Sequence, residues 1–103
     1  MEELTSDNLQ EVVESNQSVM VQYGATWCGN CRLVKPKFKR IGGENPDVAF
    51  VYVDAEKFPN SRKLAEVANL PTFAGFKNGK LVAQSQGNKE EIIRSILHEV
   101  TAN

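Results

Sequence analysis

The chain has only two cysteines and one histidine among its 103 residues, and this scarcity excludes several kinds of chemistry. A structural zinc site takes four ligands, and beyond Cys28 and Cys31 the Cys and His set offers only the distant His98. Attachment of a c-type haem would place a histidine directly after the second cysteine, where Arg32 stands. Ligand count alone leaves open an iron–sulfur cluster shared by two chains, each giving two thiolates. An excess of charge is also missing. Twelve Lys and Arg face thirteen Asp and Glu, for a formal charge of -1, so no global field draws the chain onto nucleic acid or an anionic membrane. No apolar run approaches a membrane span, and Met1-Glu2-Glu3-Leu4 has neither the basic region nor the apolar stretch of a secretory signal. The expectation is a cytoplasmic chain that recognises its partners locally.

What is present is ordinary for a globular domain: 41% hydrophobic, 24% charged and 8% aromatic residues. At this length residues 1–103 are expected to form one domain around one core. Leu9, Val12 and Val13 recur at helical spacing between residues 6 and 15, with Ser6 or Asp7 as N-cap. Residues 18–24, rich in β-formers and ending at Gly24, predict a buried strand that runs into the cysteine loop. A helix over 29–41 follows, with Leu33, Val34, Phe38 and Ile41 inward and Pro36 imposing a kink. Gly42-Gly43-Glu44-Asn45-Pro46 predicts a turn, and the apolar run 48–54 a central parallel strand. A helix over 60–68 precedes a strand over 72–77. Asn78-Gly79 predicts a tight hairpin to a strand over 81–86. The final helix, 88–101, turns Ile92, Ile93, Ile96, Leu97 and Val100 inward. This order implies an α/β fold in which helices cover both faces of a four-stranded mixed sheet.

Trp27-Cys28-Gly29-Asn30-Cys31 lies between a buried strand and a helix, which puts Cys28 at the helix N-terminus and Cys31 one turn along. Unpaired N–H groups and the positive end of the helix dipole favour a thiolate at Cys28, the attacking species in disulfide exchange. Cys31 is then close enough to resolve a mixed disulfide. Such chemistry needs two sulfurs, with neither metal nor cofactor. In a reducing compartment a close pair is more readily catalytic or metal-binding than a structural staple. The basic run Arg32, Lys35, Lys37, Lys39 and Arg40 scatters around an amphipathic helix and reads as a solvated face. Asp54, at a strand end, reads as a turn acceptor, and His98 as an exposed helix residue.

The ordered set of features resembles the thioredoxin family over essentially the whole chain. These are the Trp27-Cys28-Gly29-Asn30-Cys31 motif after a strand, Pro36 in the next helix, Asp54 closing an apolar strand, Leu70-Pro71-Thr72-Phe73 before a hairpin, Phe76-Lys77-Asn78-Gly79-Lys80 at its turn, and Gly87 before the last helix. The resemblance implies a thioredoxin fold and a thiol–disulfide oxidoreductase with Cys28 as nucleophile and Cys31 as resolving thiol. It also implies a cis bond before Pro71, facing the cysteines, and an apolar docking surface of an exposed Trp27 with Gly29, Leu70, Pro71 and Gly87, where the Leu70 backbone pairs with an extended substrate. Disulfide-containing proteins are the implied substrates, a flavin-dependent thioredoxin reductase the electron donor, and a monomer the expected state. A second expectation, from another class, is a thioredoxin-fold binding or assembly module whose cysteines are dispensable.

The chain departs from the family at three places. Gln22 and Phe50 stand where thioredoxins carry a buried aspartate and its lysine partner; an amide cannot accept the proton of the resolving thiol as a carboxylate can. Losing both charges together leaves a neutral interior. Asn30 replaces a proline and brings a backbone N–H that is expected to donate to the Cys28 sulfur. Both changes favour the reduced pair and imply a reduction potential above that of an ordinary thioredoxin. The short Glu3-Leu4 start leaves room for at most a vestigial fifth strand, with strand 48–54 at or near a sheet edge.

Overall fold

The computed structural model describes residues 1–102. A run that is apolar at nearly every position suits a strand covered on both faces, and β2 (Ser18–Gly24) is such a strand, buried from Val19 onward. It pairs in parallel with β3 (Ala49–Asp54), Val21 opposite Val51, and antiparallel with β4 (Thr72–Lys77), Val21 opposite Ala74. β5 (Lys80–Gln86) returns antiparallel to β4 through Asn78 and Gly79, both at positive φ as the turn requires. A two-residue strand, β1 (Glu2–Glu3), adds in parallel to β3 opposite Val51 and Tyr52. The sheet is therefore five-stranded, in the order β1-β3-β2-β4-β5, four full strands with the vestigial fifth at the edge. β1 leaves β3 one place from the edge.

Alternation along the strands divides the core. Val19, Val21 and Tyr23 face Leu9, Val13, Val53, Phe58 and Phe76, on the side of α1 (Leu9–Ser15) and α3 (Pro59–Arg62). Met20, Phe50 and Phe73 face the side of α2 (Gly29–Glu44) and α4 (Glu90–Thr101), against Val34, Phe38, Ile41, Ile93 and Ile96. Among the described residues no helix is long and apolar enough to cross a membrane.

Several local expectations give way to tertiary contacts. α2 continues through Gly42 and Gly43 to Glu44, where a turn was expected. The ring of Phe50 lies so close to Gly42 that an added Cβ would meet it at 2.9 Å, so the glycine answers a packing need rather than breaking the helix. Leu33 is 60% exposed, not inward, because the buried stripe of α2 runs through Cys31, Val34, Phe38 and Ile41. The helix expected over 60–68 stops at Arg62. Beyond it the backbone is satisfied by side chains: Gln84 accepts from Glu66 N at 2.9 Å and donates to Glu66 O at 2.8 Å, and Arg62 donates to Val67 O at 2.9 Å. Leu64 and Val67 still pack on the core.

Neither Ser6 nor Asp7 caps α1, whose N-cap is Asn8. Asp7 instead accepts from Asn60 N at 3.0 Å and from both the backbone N and hydroxyl of Ser61 at 2.7 Å. The Ser61 hydroxyl oxygen in turn accepts from Leu9 N, the first helical residue of α1, at 3.1 Å. Two helix N-termini 50 residues apart thus cap each other, and the buried Tyr23 hydroxyl joins them by donating to Ser61 O at 2.8 Å. Burial pushes the Asp7 carboxyl up, but the donors from Ser61 and Asn60 outweigh it and hold the group below the usual carboxylate range. A value lowered by folding means stability that is present above the unfolded value and lost as pH falls through the folded one. Between about pH 6 and pH 3 the urea midpoint of the wild type should therefore fall further than that of Asp7→Asn, with the two converging at the acid end; parallel declines would refute the coupling.

Candidate active site

β2 ends at Gly24, and three loop residues later Cys28 takes extended backbone geometry as the N-cap of α2. Its sulfur accepts from Cys31 N at 3.1 Å. That is the usual reach of a capping side chain, to the third helical residue. The donor is therefore Cys31 and not Asn30, contrary to the expectation drawn from the missing proline. Asn30 makes a different contact: its Oδ1 accepts from Asn88 Nδ2 at 3.1 Å and joins the motif to the loop after Gly87. Nothing local in the sequence marks Asn88, which lies 58 residues away.

Cys28 and Cys31 are joined in a disulfide, with Cα atoms 5.3 Å apart. Cys28 keeps 5% of its surface while Cys31 has none, so both residues are buried and Cys28 is the less enclosed of the two. Around the pair, Ala25 and Leu70 complete a small apolar cluster. The Leu70–Pro71 bond is cis, as the resemblance implied. Pro71 O accepts from Gly87 N at 3.1 Å, and Gly87 has a φ of 131°, a conformation natural to glycine. Trp27 is 65% exposed. With Leu70, Asn69, Ala68, Arg62 and Glu56 it lines an open cleft of about 330 Å³. Gly29 has open space where a side chain would stand. Asp54 accepts from Glu56 N and Lys57 N at 3.0 Å, which is the turn role read from its position. His98 is exposed on α4, remote from these residues in sequence.

Strand alternation puts Gln22 on the α2 side of β2, directly before the motif. It is fully buried, and its Nε2 donates to Cys31 O at 3.1 Å, while Oε1 has no partner among the described residues. Phe50, where the family carries lysine, fills space against Phe38 with ring centroids 4.8 Å apart, and Phe73 approaches Phe38 at 5.6 Å. An unmade buried hydrogen bond costs about 1–3 kcal/mol, whereas a single neutral one contributes about 0.5–1.5 kcal/mol. Gln22→Met, close to it in volume, should therefore leave the disulfide form at least as stable in urea unfolding. A loss beyond about 1.5 kcal/mol would mean that the amide is better paired than this geometry indicates.

The thioredoxin family model matches residues 1–99. Thioredoxin-3 of Dictyostelium discoideum is 33% identical over 91% of this chain and 90% of its own length. Thioredoxin of Oryctolagus cuniculus is 33% identical over 88% of this chain and 89% of its own. The X-ray structure of Fasciola hepatica thioredoxin superposes with a TM-score of 0.87 at 29% identity, covering 96% of this chain and 99% of that one. Agreement in both sequence and backbone along nearly the whole length means that the chain belongs to the thioredoxin family and is a thiol–disulfide oxidoreductase whose redox pair is Cys28 and Cys31.

Proposed function

We propose that the chain reduces protein disulfides in the cytoplasm, as a monomer and a single domain, with Cys28 attacking and Cys31 resolving. The observation that carries the assignment of roles is the asymmetry of the two sulfurs. Cys28 is the less buried of the two residues, and its sulfur already receives a backbone N–H at the positive end of α2, where a thiolate is favoured. In the forward reaction the Cys28 thiolate bonds to one sulfur of the substrate disulfide and expels the other as a thiolate. Cys31 then gives its proton to solvent and attacks Cys28 Sγ, which closes the Cys28–Cys31 disulfide and frees the first substrate sulfur. Two electrons have passed from the dithiol to the substrate, and a thioredoxin reductase returns two.

Trp27, Gly29, Leu70, Pro71 and Gly87 form the docking surface, with the Leu70 backbone pairing with an extended substrate. The exposure of Trp27, the contact of Leu70 with the cysteine cluster and the tie from Gly87 to Pro71 support this reading. Gln22 and Asn30 modulate the pair. Gln22 puts an uncharged amide on the Cys31 backbone where a carboxylate would oppose ionisation of the thiols, and Asn30 links the motif to Asn88.

Cys28→Ser should abolish reduction of a disulfide protein such as insulin, and Cys31→Ser should accumulate a mixed disulfide through Cys28, seen as an added mass that dithiothreitol removes. Trapping through Cys31 instead would reverse the roles. If host function survives loss of both sulfurs, the chain serves as a binding module. The reduction potential, followed by Trp27 fluorescence in defined dithiol buffers, should lie above the roughly −270 mV of thioredoxin, and Gln22→Asp should lower it. An unchanged or raised value in that variant would remove Gln22 from the mechanism.

A further inference from the structure

Four of the five basic residues of α2, scattered in sequence, separate into two groups in the fold, and Lys37 belongs to neither. Arg40, still solvent-exposed, pairs with Glu90 at 2.5 Å, and Arg94 bridges Glu90 and Glu44 beside it. Arg32, Lys35 and Lys39, spaced i, i+3 and i+7 and so sharing one side of the helix, line a cleft of about 360 Å³ with Met1, Glu3 and Pro36. Glu3, Arg32 and Lys35 also line a neighbouring cleft of about 380 Å³, to which Lys57, Asp54, Ala25 and Thr26 contribute. Four cations thus border two adjoining clefts on the β1 side of the motif.

The carboxylates within reach do not neutralise them. Glu3 is engaged by Lys35 at 2.9 Å, the same ammonium that stands 4.2 Å from the Tyr52 ring centre. Asp54, whose Oδ1 accepts from the backbone N–H groups of Glu56 and Lys57, is the second carboxylate, so two carboxylates stand against four cations. Among the described residues Arg32, Lys39 and Lys57 have no carboxylate partner at ion-pair distance. Arg32 ties this surplus to the redox pair. Its backbone N donates to Cys28 O and its guanidinium to Thr26 O, each at 3.3 Å, which keeps the charge within one helical turn of the attacking sulfur. On a chain of net charge -1 the field of such a patch is local, so it acts on whatever part of a partner lies beside the bond being exchanged.

We propose that this basic ridge receives an acidic segment next to the scissile disulfide, so that the enzyme favours disulfide substrates flanked by aspartate or glutamate. The inference rests on the reductase reading above and adds a substrate class to it. Carboxylates on the segment meet Arg32, Lys39 and Lys57 while the apolar surface around Trp27 holds the chain beside the disulfide. A protein partner fits better than a nucleic acid, because Glu3 and Asp54 lie inside the same clefts and would face a continuous phosphate backbone, whereas spaced side-chain carboxylates avoid them. Electrostatic complementarity of this kind raises association rates and falls with ionic strength.

The test uses two disulfide-closed peptides with one apolar core, flanked by aspartates in one and lysines in the other, and the reduced protein read by Trp27 fluorescence. The second-order rate constant for the aspartate peptide should exceed that for the lysine peptide by roughly tenfold at low salt, with the ratio approaching one as salt is raised toward about 0.5 M. Joint substitution Lys39→Glu and Lys57→Glu should abolish the preference while an uncharged peptide is reduced at the wild-type rate. Lys80→Glu, on the hairpin away from both clefts, should preserve it. Equal rates in the wild type, or a preference that survives the joint substitution, overturns the proposal. Salt-sensitive binding of duplex DNA that the joint substitution removes would overturn it in favour of another partner. Reduction of neither peptide, charged or uncharged, overturns it through the reductase reading on which it stands.

Discussion

The burial of β2 on both faces is the constraint on which the rest of the structure depends. Its backbone is paired on either side, in parallel with β3 and antiparallel with β4, and its side chains supply the centre of both core layers. A strand held this way can neither slide nor tilt, because a shift of one residue would exchange the two faces. Its C-terminal end at Gly24 is therefore a fixed point, and the short loop to Cys28 leaves α2 little freedom in where it begins. The first turn of that helix, with its unpaired N–H groups and positive end, comes to rest over the cysteines.

The same alternation governs what lies beneath the pair. Met20 and Gln22 point toward α2, and the position nearest the motif is the polar one. In a family that usually carries a carboxylate and a lysine there, this chain has an amide and a phenylalanine. The two replacements answer each other. Phe50 joins Phe38 in a tilted aromatic cluster with Phe73 in place of a lysine, and without that lysine a buried carboxylate would be an uncompensated charge. The interior below the disulfide is consequently neutral, with one oxygen of Gln22 left without a partner. Burial also pushes the phenols of Tyr23 and Tyr52 up, the latter with help from the Asp54 and Glu3 carboxylates, so neither adds a charge near the site at neutral pH.

The class of fold, the order of its main elements and the redox pair can be read from the residues alone. Strand 18–24, the hairpin at Asn78-Gly79 and the inward stripe of the last helix are legible because periodicity and turn chemistry are local properties. Cys28 and Cys31 are legible because helix position and spacing are enough to define their chemistry. The remaining features depend on residues far apart in the chain that meet on folding. Gly42 stays helical because Phe50 presses against it, and α3 ends early because Gln84 and Arg62 serve the backbone beyond it. Asp7 caps α3 instead of α1 because the two helix N-termini meet in space. The division of the basic residues into a group paired at Glu90 and a group beside the motif in which only Lys35 has a carboxylate partner is invisible in the sequence for the same reason. Charge is counted along the chain, but its effect is set by which carboxylates the fold brings within a few ångströms.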